Sequence, residues 1–387
     1  MLNSKNKLMY TGKHTIFSLV YFSIICLVTF LIINDKIIAG ENPPKDKNKW
    51  SVSLSLSPYY DSNILKYSDK YIERFKNRED EGRFHIHSID DLTFGYSIGL
   101  TYSDEIINNL KTILGGGFDT DAYTYNSIKS WSAYNIYLRQ YLSSSTSFSI
   151  SYSYIPEFYV RHFRDEDWVV YYGFTPETFQ PYEFSKDDFS FWLQYIFNWK
   201  TTRARAYFSY DRYYLNPSNT EYDSNDFLYG FRIFHSLTDK LDVSAAYYYI
   251  TSDAKGYDEP GETKSASDDS DASNYEHVYA LGLDYQMPKI FSLENDLSID
   301  AQYSRAFYTT DHFLELDPLH AGRYDYNYRV FVNYNWFIFD DFSVTAFYQW
   351  MARESSTSAE ANREYVSDEK DYTQYRIGLR FNYSISF

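Results

Sequence analysis

The sequence predicts an all-β fold: a transmembrane, antiparallel, up-and-down β-barrel of about fourteen strands that follows an N-terminal signal peptide. Three observations predict it. Apolar and polar residues alternate along most of the chain. The connections that join these segments are short and long in alternation. The aromatic content is very high. Of 387 residues, 44 are Tyr and 30 are Phe. The mean hydropathy of −0.51 argues against a bundle of transmembrane helices.

One long apolar run stands near the N-terminus, from Ile16 to Ile33, behind several lysines. A basic start, an apolar centre and a small-residue exit at Ala39 and Gly40 are typical of a secretory signal peptide. We therefore predict a signal peptide over residues 1–40, a short N-terminal segment over 41–49, and one barrel over 50–387. An uncleaved anchor is the alternative.

Cysteine usage and charge exclude several kinds of chemistry. The single cysteine, Cys26, lies inside the apolar run, so a processed chain has no disulfide and no cysteine metal site. The formal net charge is −17, and residues 1–40 carry four lysines and one aspartate, so their removal makes the chain more acidic. Nucleic acid is therefore not expected as a partner.

Fourteen segments alternate with a period of two, as β-strands with one polar and one apolar face do. Short links follow the even strands, for example Ser143–Thr146 and Ile338–Asp341. Longer polar segments follow the odd strands, including Asp61–Asp90, Arg161–Lys186, Ser252–Tyr275, Thr309–Arg323 and Ala352–Asp371. Short turns at one end and long loops at the other indicate a barrel, whereas a β-sandwich mixes loop lengths at both ends.

The apolar faces of these strands are predicted to point outward. Val52, Leu54 and Leu56 share one face of the first strand, while serines occupy the other. A cylinder of fourteen strands is too wide to fill with aliphatic side chains, so the apolar face must contact lipid. Tyr and Trp near the strand ends are consistent with aromatic girdles at two membrane interfaces.

The last strand carries a family resemblance. Its apolar parity ends on an aromatic residue and consists of Leu379, Phe381, Tyr383, Ile385 and Phe387. This pattern resembles the C-terminal strand of bacterial outer-membrane β-barrel proteins, porin-like ones included. The resemblance implies a Gram-negative outer-membrane location, periplasmic termini, and recognition of these residues by the barrel-assembly machinery.

A weaker resemblance follows the first strand. The Tyr60-Asp61-Ser62-Asn63 turn is similar to one found in exopolysaccharide-associated barrels and in surface lipoprotein assembly modifiers. The latter normally carry a periplasmic repeat region before the barrel, and here only about nine residues precede the first strand. An ordinary polar turn is the alternative.

Charged residues of the inward parity are the candidate functional residues. Together they predict a cationic waist beneath an acidic mouth, which favours small anions. The alternative is that these groups pair across strands and only fill a polar lumen. The predicted pore-lining residues are Lys111, Arg139, Arg203, Arg205, Arg232, Arg329, Arg376, Arg380, Asp211, Asp300 and Asp325.

Several loop segments and histidine pairs are further candidate features. The aromatic segment Arg161–Glu183 is a candidate for folding inward to narrow the lumen, or for stacking on sugars or other loops. The acidic stretch Asp253–Tyr275 is interpreted as a solvated loop rather than a calcium site. His85 and His87 form at most a weak metal pair, and pairs such as His162 with Asp165 or His312 with Asp311 lack the spacing of a catalytic site. No metal, no cofactor and no enzymatic activity are predicted.

The function predicted from these features is a porin-like channel for small hydrophilic, and in particular anionic, solutes. The alternatives are an outer-membrane component of surface polysaccharide or lipoprotein export, and a non-conducting structural or adhesive barrel. Expected partners are outer-membrane lipid, lipopolysaccharide and the barrel-assembly machinery. Because the aromatic face looks similar all round, a monomer is expected.

Overall fold

A computed structural model of the chain describes residues 49–107 and 110–387. The predicted signal peptide, and all but the last residue of the predicted segment 41–49, lie outside the described residues. Among the residues described, no helix is long and apolar enough to cross a membrane.

Within the described residues, fourteen antiparallel strands close into one barrel, as the alternation predicted. Each strand pairs with its neighbours in the chain, and the last strand returns to pair with the first. The strands are β1 Trp50–Asp61, β2 Asp91–Ile107, β3 Leu110–Tyr123, β4 Trp131–Tyr141, β5 Thr146–Arg164, β6 Phe179–Ile196, β7 Thr202–Leu215, β8 Ser224–Thr238, β9 Leu241–Ala254, β10 Asn274–Gln286, β11 Glu294–Tyr308, β12 Arg323–Phe339, β13 Phe342–Thr357 and β14 Tyr372–Ser386.

In the part of the chain that the structure describes, three short α-helices lie in the long connections, where the sequence analysis predicted loops. They are α1 Asp69–Asn77, α2 Glu166–Tyr172 and α3 Arg363–Lys370. Each spans between seven and nine residues. Such short segments show too few turns for a helical period to stand out, and isolated helices of this length depend on tertiary packing for stability.

Closure of the barrel is made by β1 and β14. Their ladder runs from Ser51 opposite Ser386 to Asp61 opposite Arg376. Beyond it, the amide of Trp50 donates to the carbonyl of Phe387 at 3.0 Å, and the amide of Phe387 donates back at 2.9 Å. The sheet therefore has no free edge along this seam, which a barrel in lipid requires.

Register assigns one parity of every strand to each side of the wall. On one side, leucines, isoleucines and aromatic residues are exposed, such as Leu100 at 47%, Ile136 at 63% and Leu281 at 65%. On the other side lie serines, glycines and charged residues, many of them buried. Apolar side chains that remain exposed around a closed barrel form its lipid-facing surface, as predicted.

Aromatic side chains gather at both ends of this surface. At the short-turn end, Tyr334 and Trp336 pack with ring centroids 4.6 Å apart. At the long-loop end, Tyr275 stacks on Phe307 at 5.1 Å. Amphipathic rings at two levels match the two interfaces of a membrane.

The β5–β6 connection differs from its prediction. The sequence analysis placed a long loop over residues 161–186, but β5 continues to Arg164 and β6 begins at Phe179. Register shifts between Ile155 and Phe158, and between Tyr159 and Arg161, change the parity of β5. A β-bulge interrupts the alternation on which the strand prediction depends, so the strand was cut short.

We expect Gly378→Ala to destabilise the closing seam. A Cβ there would lie 2.5 Å from the carbonyl oxygen of Pro58 and 2.5 Å from the Cβ of Tyr59. Overpacking of this kind costs roughly 1–3 kcal/mol. The free energy of unfolding in urea, followed by tryptophan fluorescence, should fall by about that amount.

Gly99→Ala is the matched control, because its Cβ would meet chiefly the rotatable Oγ of Ser53. Equal losses of unfolding free energy in the two variants would show that the close backbone contact at the seam does not limit stability.

Candidate functional site: the barrel lumen

The inward-facing parity forms the wall of the lumen, and contacts between distant strands identify it. The hydroxyl of Tyr59 on β1 donates to Asp121 on β3 at 2.8 Å. Arg232 on β8 lies 3.4 Å from Asp300 on β11, reaching past two strands. Such contacts are possible only on the concave side of the wall. The eleven residues predicted to line the pore all lie on this parity.

Four of the predicted arginines lie close together on two aromatic rings. The guanidinium carbon of Arg205 lies 4.3 Å from the ring centroid of Trp192, and that of Arg139 lies 5.0 Å from it. Arg203 and Arg232 lie 4.1 and 4.8 Å from the ring of Phe234. We call this set the arginine–aromatic row; it comprises Arg139, Trp192, Arg205, Phe234, Arg203 and Arg232.

Stacking on the two rings holds these guanidinium groups at fixed positions. A ring interacts with the face of a guanidinium and leaves its N–H edge directed to other acceptors. Arg205 uses part of that edge to donate to Gln194 at 2.7 Å, and Arg232 donates to Ser244 at 2.7 Å. Both of these acceptors are uncharged, but Arg232 also lies 3.4 Å from Asp300, so that carboxylate offsets one positive charge of the row.

Other predicted residues are joined in ion pairs nearer the long-loop end. Arg376 donates to Asp61 at 2.8 Å, where β14 meets the end of β1. Asp325 accepts from Arg323 at 2.5 and 2.8 Å. Lys186 lies 3.0 Å from Asp211. All of these but the half-buried Arg376 are buried, so much of the predicted acidic mouth is neutralised by cations.

Lys186 and Arg323 were missed in the sequence analysis. Lys186 fell in the segment interpreted as a loop, and Arg323 stood at the boundary of a loop and a strand. Lys186 also lies 3.3 Å from Asp188 on its own strand. The sequence did contain a signal for this ion pair, because Lys186 and Asp188 are two residues apart and therefore share a face of an extended strand.

The segment 62–90, between β1 and β2, fills the lumen at the long-loop end. Its buried residues Ile64, Leu65, Tyr67 and Tyr71 form one apolar cluster with the inner wall. The wall contributes residues from five consecutive strands, namely Tyr123, Ala133, Ile155, Phe158, Tyr159, Phe184 and Tyr213. We call segment 62–90 the plug.

Polar contacts hold the plug in place. Arg161 on β5 donates to the carbonyl of Leu65 at 2.7 Å, and the side chain of Asn63 donates to the carbonyl of Thr373 on β14 at 3.2 Å. On helix α1, Lys70 lies 2.9 Å from Glu369 of helix α3, and the hydroxyl of Tyr71 donates to the same carboxylate. The plug is thus tied to nearly opposite sides of the barrel.

Segment 161–183 does not fill the lumen, contrary to one of the expectations for it. Its tip, helix α2 and the residues that follow, projects from the barrel with Val170, Tyr171 and Phe174 about four-fifths exposed. Asp165 caps the helix by accepting from the amide of Trp168 at 3.1 Å. The inserted element is instead the plug.

The candidate metal and catalytic residues do not assemble as such sites among the described residues. His85 stacks on His162 with ring centroids 3.7 Å apart, and His87 is exposed. His162 Nδ1 lies 2.7 Å from the hydroxyl of Tyr159, and His312 Nε2 lies 3.0 Å from the carbonyl of Lys264. Neither ring is hydrogen-bonded to the acid with which the sequence analysis grouped it.

Acidic residues of the β9–β10 loop are the described groups best placed to hold a cation. Carboxylate oxygens of Asp258, Glu259 and Asp269 lie within 4.8 Å of one another, as do those of Glu259, Glu262 and Asp268. Exposed carboxylates commonly gather in this way without a metal, and the amide of Asp258 and the hydroxyl of Ser267 already donate to Asp269.

Loops also interlock above the lumen. Asp317 accepts from His320 at 2.8 Å and from the amide of Asp271 at 3.0 Å, joining the β11–β12 and β9–β10 loops. The amide of Gly256 donates to the carbonyl of Glu221, which lies in the β7–β8 connection. Burial raises the pKa of the Glu221 carboxyl to about 8, and nearby Asp269 and Asp258 add to the rise.

The fold and its lumen define a class of protein. A closed antiparallel barrel with an even number of strands, an apolar aromatic-rimmed exterior and a polar interior is a transmembrane β-barrel of the bacterial outer-membrane type. This agrees with the location and fold that the last strand implied.

No protein-family model matches the chain, and no curated protein matches it. Solved structures with similar barrels include a bacterial polysaccharide outer membrane secretin, with a TM-score of 0.43 and 7% identity, covering 88% of this chain and 99% of that one. The outer membrane channel DcaP of Acinetobacter baumannii gives 0.42 and 13%, covering 88% and 99%. OprD of Pseudomonas aeruginosa gives 0.39 and 10%, covering 89% and 97%. TM-scores and sequence identities this low support no statement about a solute.

We expect the interlocked loops to loosen as the pH rises. The folded-state pKa of Glu221, about 8, lies above its usual value near 4.5. Folding therefore favours the protonated form, so its stabilising contribution is complete below pH 4.5 and is lost as the pH rises through about 8. Hydrogen exchange of residues 216–223 and 255–273, corrected for intrinsic rates, should show stronger protection at pH 5.5 than at pH 8.5.

In Glu221→Gln this difference should shrink. Asp239→Asn is the control, because it removes one negative charge from an exposed turn at the other end of the barrel. If the pH dependence of hydrogen exchange is unchanged in Glu221→Gln, the loosening of the loops cannot be assigned to Glu221.

Proposed function

We propose that the protein is a selective channel of the Gram-negative outer membrane that passes small anionic solutes. The arginine–aromatic row is the observation that carries this proposal. Four guanidinium groups lie against Trp192 and Phe234 along one side of the lumen, with Arg139 and Arg203 half-buried and Arg205 and Arg232 buried. A charged lining sets ion selectivity in such pores, because a solute of the opposite sign is favoured at each position.

The plug makes this channel a selective one rather than an open pore. It occupies the long-loop half of the lumen, whereas the short-turn half is lined by more exposed residues such as Ser53 and Asp284. Burial lowers the pKa of Lys370, in the connection beside the plug, and nearby Arg323, Arg353 and Arg161 lower it further. Three arginines therefore lie near Lys370 beside the plug, and the lowered pKa favours the uncharged amine of this lysine.

The remaining expectations belong to the same proposal. The channel works as a monomer without enzymatic activity, and the barrel-assembly machinery inserts it by reading the apolar parity of β14. Outer-membrane lipid surrounds the exposed apolar wall.

A surface-polymer component is the second candidate function. The exposed aromatic tip of the β5–β6 hairpin favours it, because rings such as Tyr171 and Phe174 are suited to stacking on sugars. Binding of a polysaccharide that is lost on removal of this tip, in a barrel that never conducts, would favour this candidate over the channel.

We expect removal of the plug to raise the conductance. The amide of Ile64 donates to the carbonyl of Ile89 at 2.9 Å, so residues 65–88 can be replaced by a Gly-Ser linker without stretching the wall. Single-channel conductance in planar bilayers should increase several-fold, because the deleted residues occupy the lumen.

Shortening the β5–β6 tip is the matched control. The amide of Asp165 donates to the carbonyl of Thr178 at 2.8 Å, so residues 166–175 can be replaced in the same way. This variant should conduct like the unmodified protein. A folded, heat-modifiable plug deletion that remains silent would contradict the channel.

We expect Arg139→Gln with Arg203→Gln to weaken anion selectivity. Both guanidinium groups belong to the row, and neutral amides of similar size remove charge while keeping polar contact. The measurement is the reversal potential of the plug deletion under a tenfold salt gradient, which should move toward the cation side.

Lys289→Gln with Lys200→Gln is the control, because it removes the same charge from the short turns rather than the row. A reversal potential that moves equally in both double variants would show that overall charge, and not the row, sets selectivity.

A further inference from the structure

An arginine faces outward at the long-loop end of the barrel. Register places His277, Arg305 and Tyr326 opposite one another on β10, β11 and β12. They share the parity of the exposed Tyr279 and Tyr303, so Arg305 lies on the lipid-facing side of the wall. It stands at the level of the aromatic residues that mark the membrane interface.

Rings, rather than acids, surround this arginine. Its guanidinium carbon lies 4.2 Å from the ring centroid of Phe307, 5.2 Å from Tyr324 and 5.1 Å from Tyr326. Its Nε is buried and donates to no acceptor among the described residues. The adjacent positions on the same face, across the ladder and along the strand, carry no negative charge.

The positive charge of Arg305 lies on the lipid-facing surface, where few groups can stabilise a cation. Charge on the lipid face costs roughly 2–4 kcal/mol at the midplane and about 0–1 near the interface. Basic groups at that level typically bind anionic lipid head groups. The rings also hold the guanidinium in one orientation, which lowers the entropy cost of binding a phosphate.

A polar cavity of about 380 Å³ adjoins the same rings. Its lining includes Tyr249, Thr251, Asp253, Tyr275 and Asp311, with Lys264 closing it from the β9–β10 loop. Tyr275 connects the cavity to the arginine, because its ring stacks on that of Phe307 at 5.1 Å.

The cavity is suited to a polyhydroxylated group. Lys264 lies 3.0 Å from Asp253 and 3.2 Å from Asp271, so its single positive charge is shared between two of the carboxylates that line the cavity. What remains is a mixture of hydroxyls, carboxylate oxygens and two tyrosine rings. Such groups can exchange hydrogen bonds with sugar hydroxyls, while the rings pack against the apolar face of a pyranose.

We propose that this surface binds a phosphorylated glycolipid of the outer leaflet, with its phosphate on Arg305 and a sugar in the cavity. The position explains why the ligand is a lipid: the arginine and the cavity lie on the outside of the barrel, directly beyond its apolar belt. A lipid whose acyl chains pack on that belt brings its head group to both.

The test uses the refolded protein in phosphatidylcholine nanodiscs with an increasing fraction of lipid A. The midpoint of thermal unfolding should rise with lipid A in the unmodified protein. Arg305→Gln should lose at least half of that rise, and Thr251→Phe, which fills the cavity, should also reduce it. Arg212→Gln should keep the full rise, because Arg212 is an outward arginine on β7 beside a ring, Tyr214, but away from the cavity.

Two further arms identify the source of the ligand. Phosphatidylglycerol at the same mole fraction should raise the midpoint less than lipid A, and soluble glucosamine 1-phosphate should raise it hardly at all. Equal effects of phosphatidylglycerol and lipid A would overturn the sugar site, and an equal effect of the soluble phosphate would overturn the lipid. A rise in Arg305→Gln equal to that of the unmodified protein would overturn the proposal as a whole.

Discussion

The pairing of β1 with β14 is the constraint on which the rest of this structure depends. Lipid offers no hydrogen-bond partners, so every backbone amide and carbonyl of the wall must be satisfied within the protein. The ladder from Ser51 to Asp61, continued by the reciprocal bonds between Trp50 and Phe387, removes the last free edge. Once the sheet is closed, each residue faces either lipid or lumen, and the period-two pattern follows from that division.

Closure with fourteen strands creates a second problem, which is the volume inside. The wall's own side chains do not fill so wide a cylinder. In the long-loop half the protein fills it with the plug and with buried ion pairs such as Lys186 with Asp211. Buried pairs of this kind are costly unless both members are present, which ties the two strands to one arrangement. The other half holds the arginine–aromatic row, where Arg205, Arg232 and Phe234 are buried, together with more exposed residues such as Ser53 and Asp284.

Aromatic rings hold arginines in place on both faces of the barrel wall. Inside, Trp192 and Phe234 hold arginines at fixed positions. Outside, Phe307, Tyr324 and Tyr326 do the same for Arg305. Contact with a ring stabilises a guanidinium while leaving its donors directed to an anion. The abundance of aromatic residues therefore serves charge positioning as well as anchoring in the membrane interface.

The sequence by itself determined the fold, the number of strands, the end that carries the long loops and the face on which the eleven predicted charged residues lie. These follow from local rules, because a strand alternates with a period of two and the wall is only one residue thick. Tertiary structure alone decided that segment 62–90 enters the lumen, that Lys186 and Arg323 neutralise acids predicted to line the mouth, and that Arg139 and Arg205 share the ring of Trp192. Those contacts join residues far apart in the chain, and their partners are set by barrel closure and register, which no local pattern encodes.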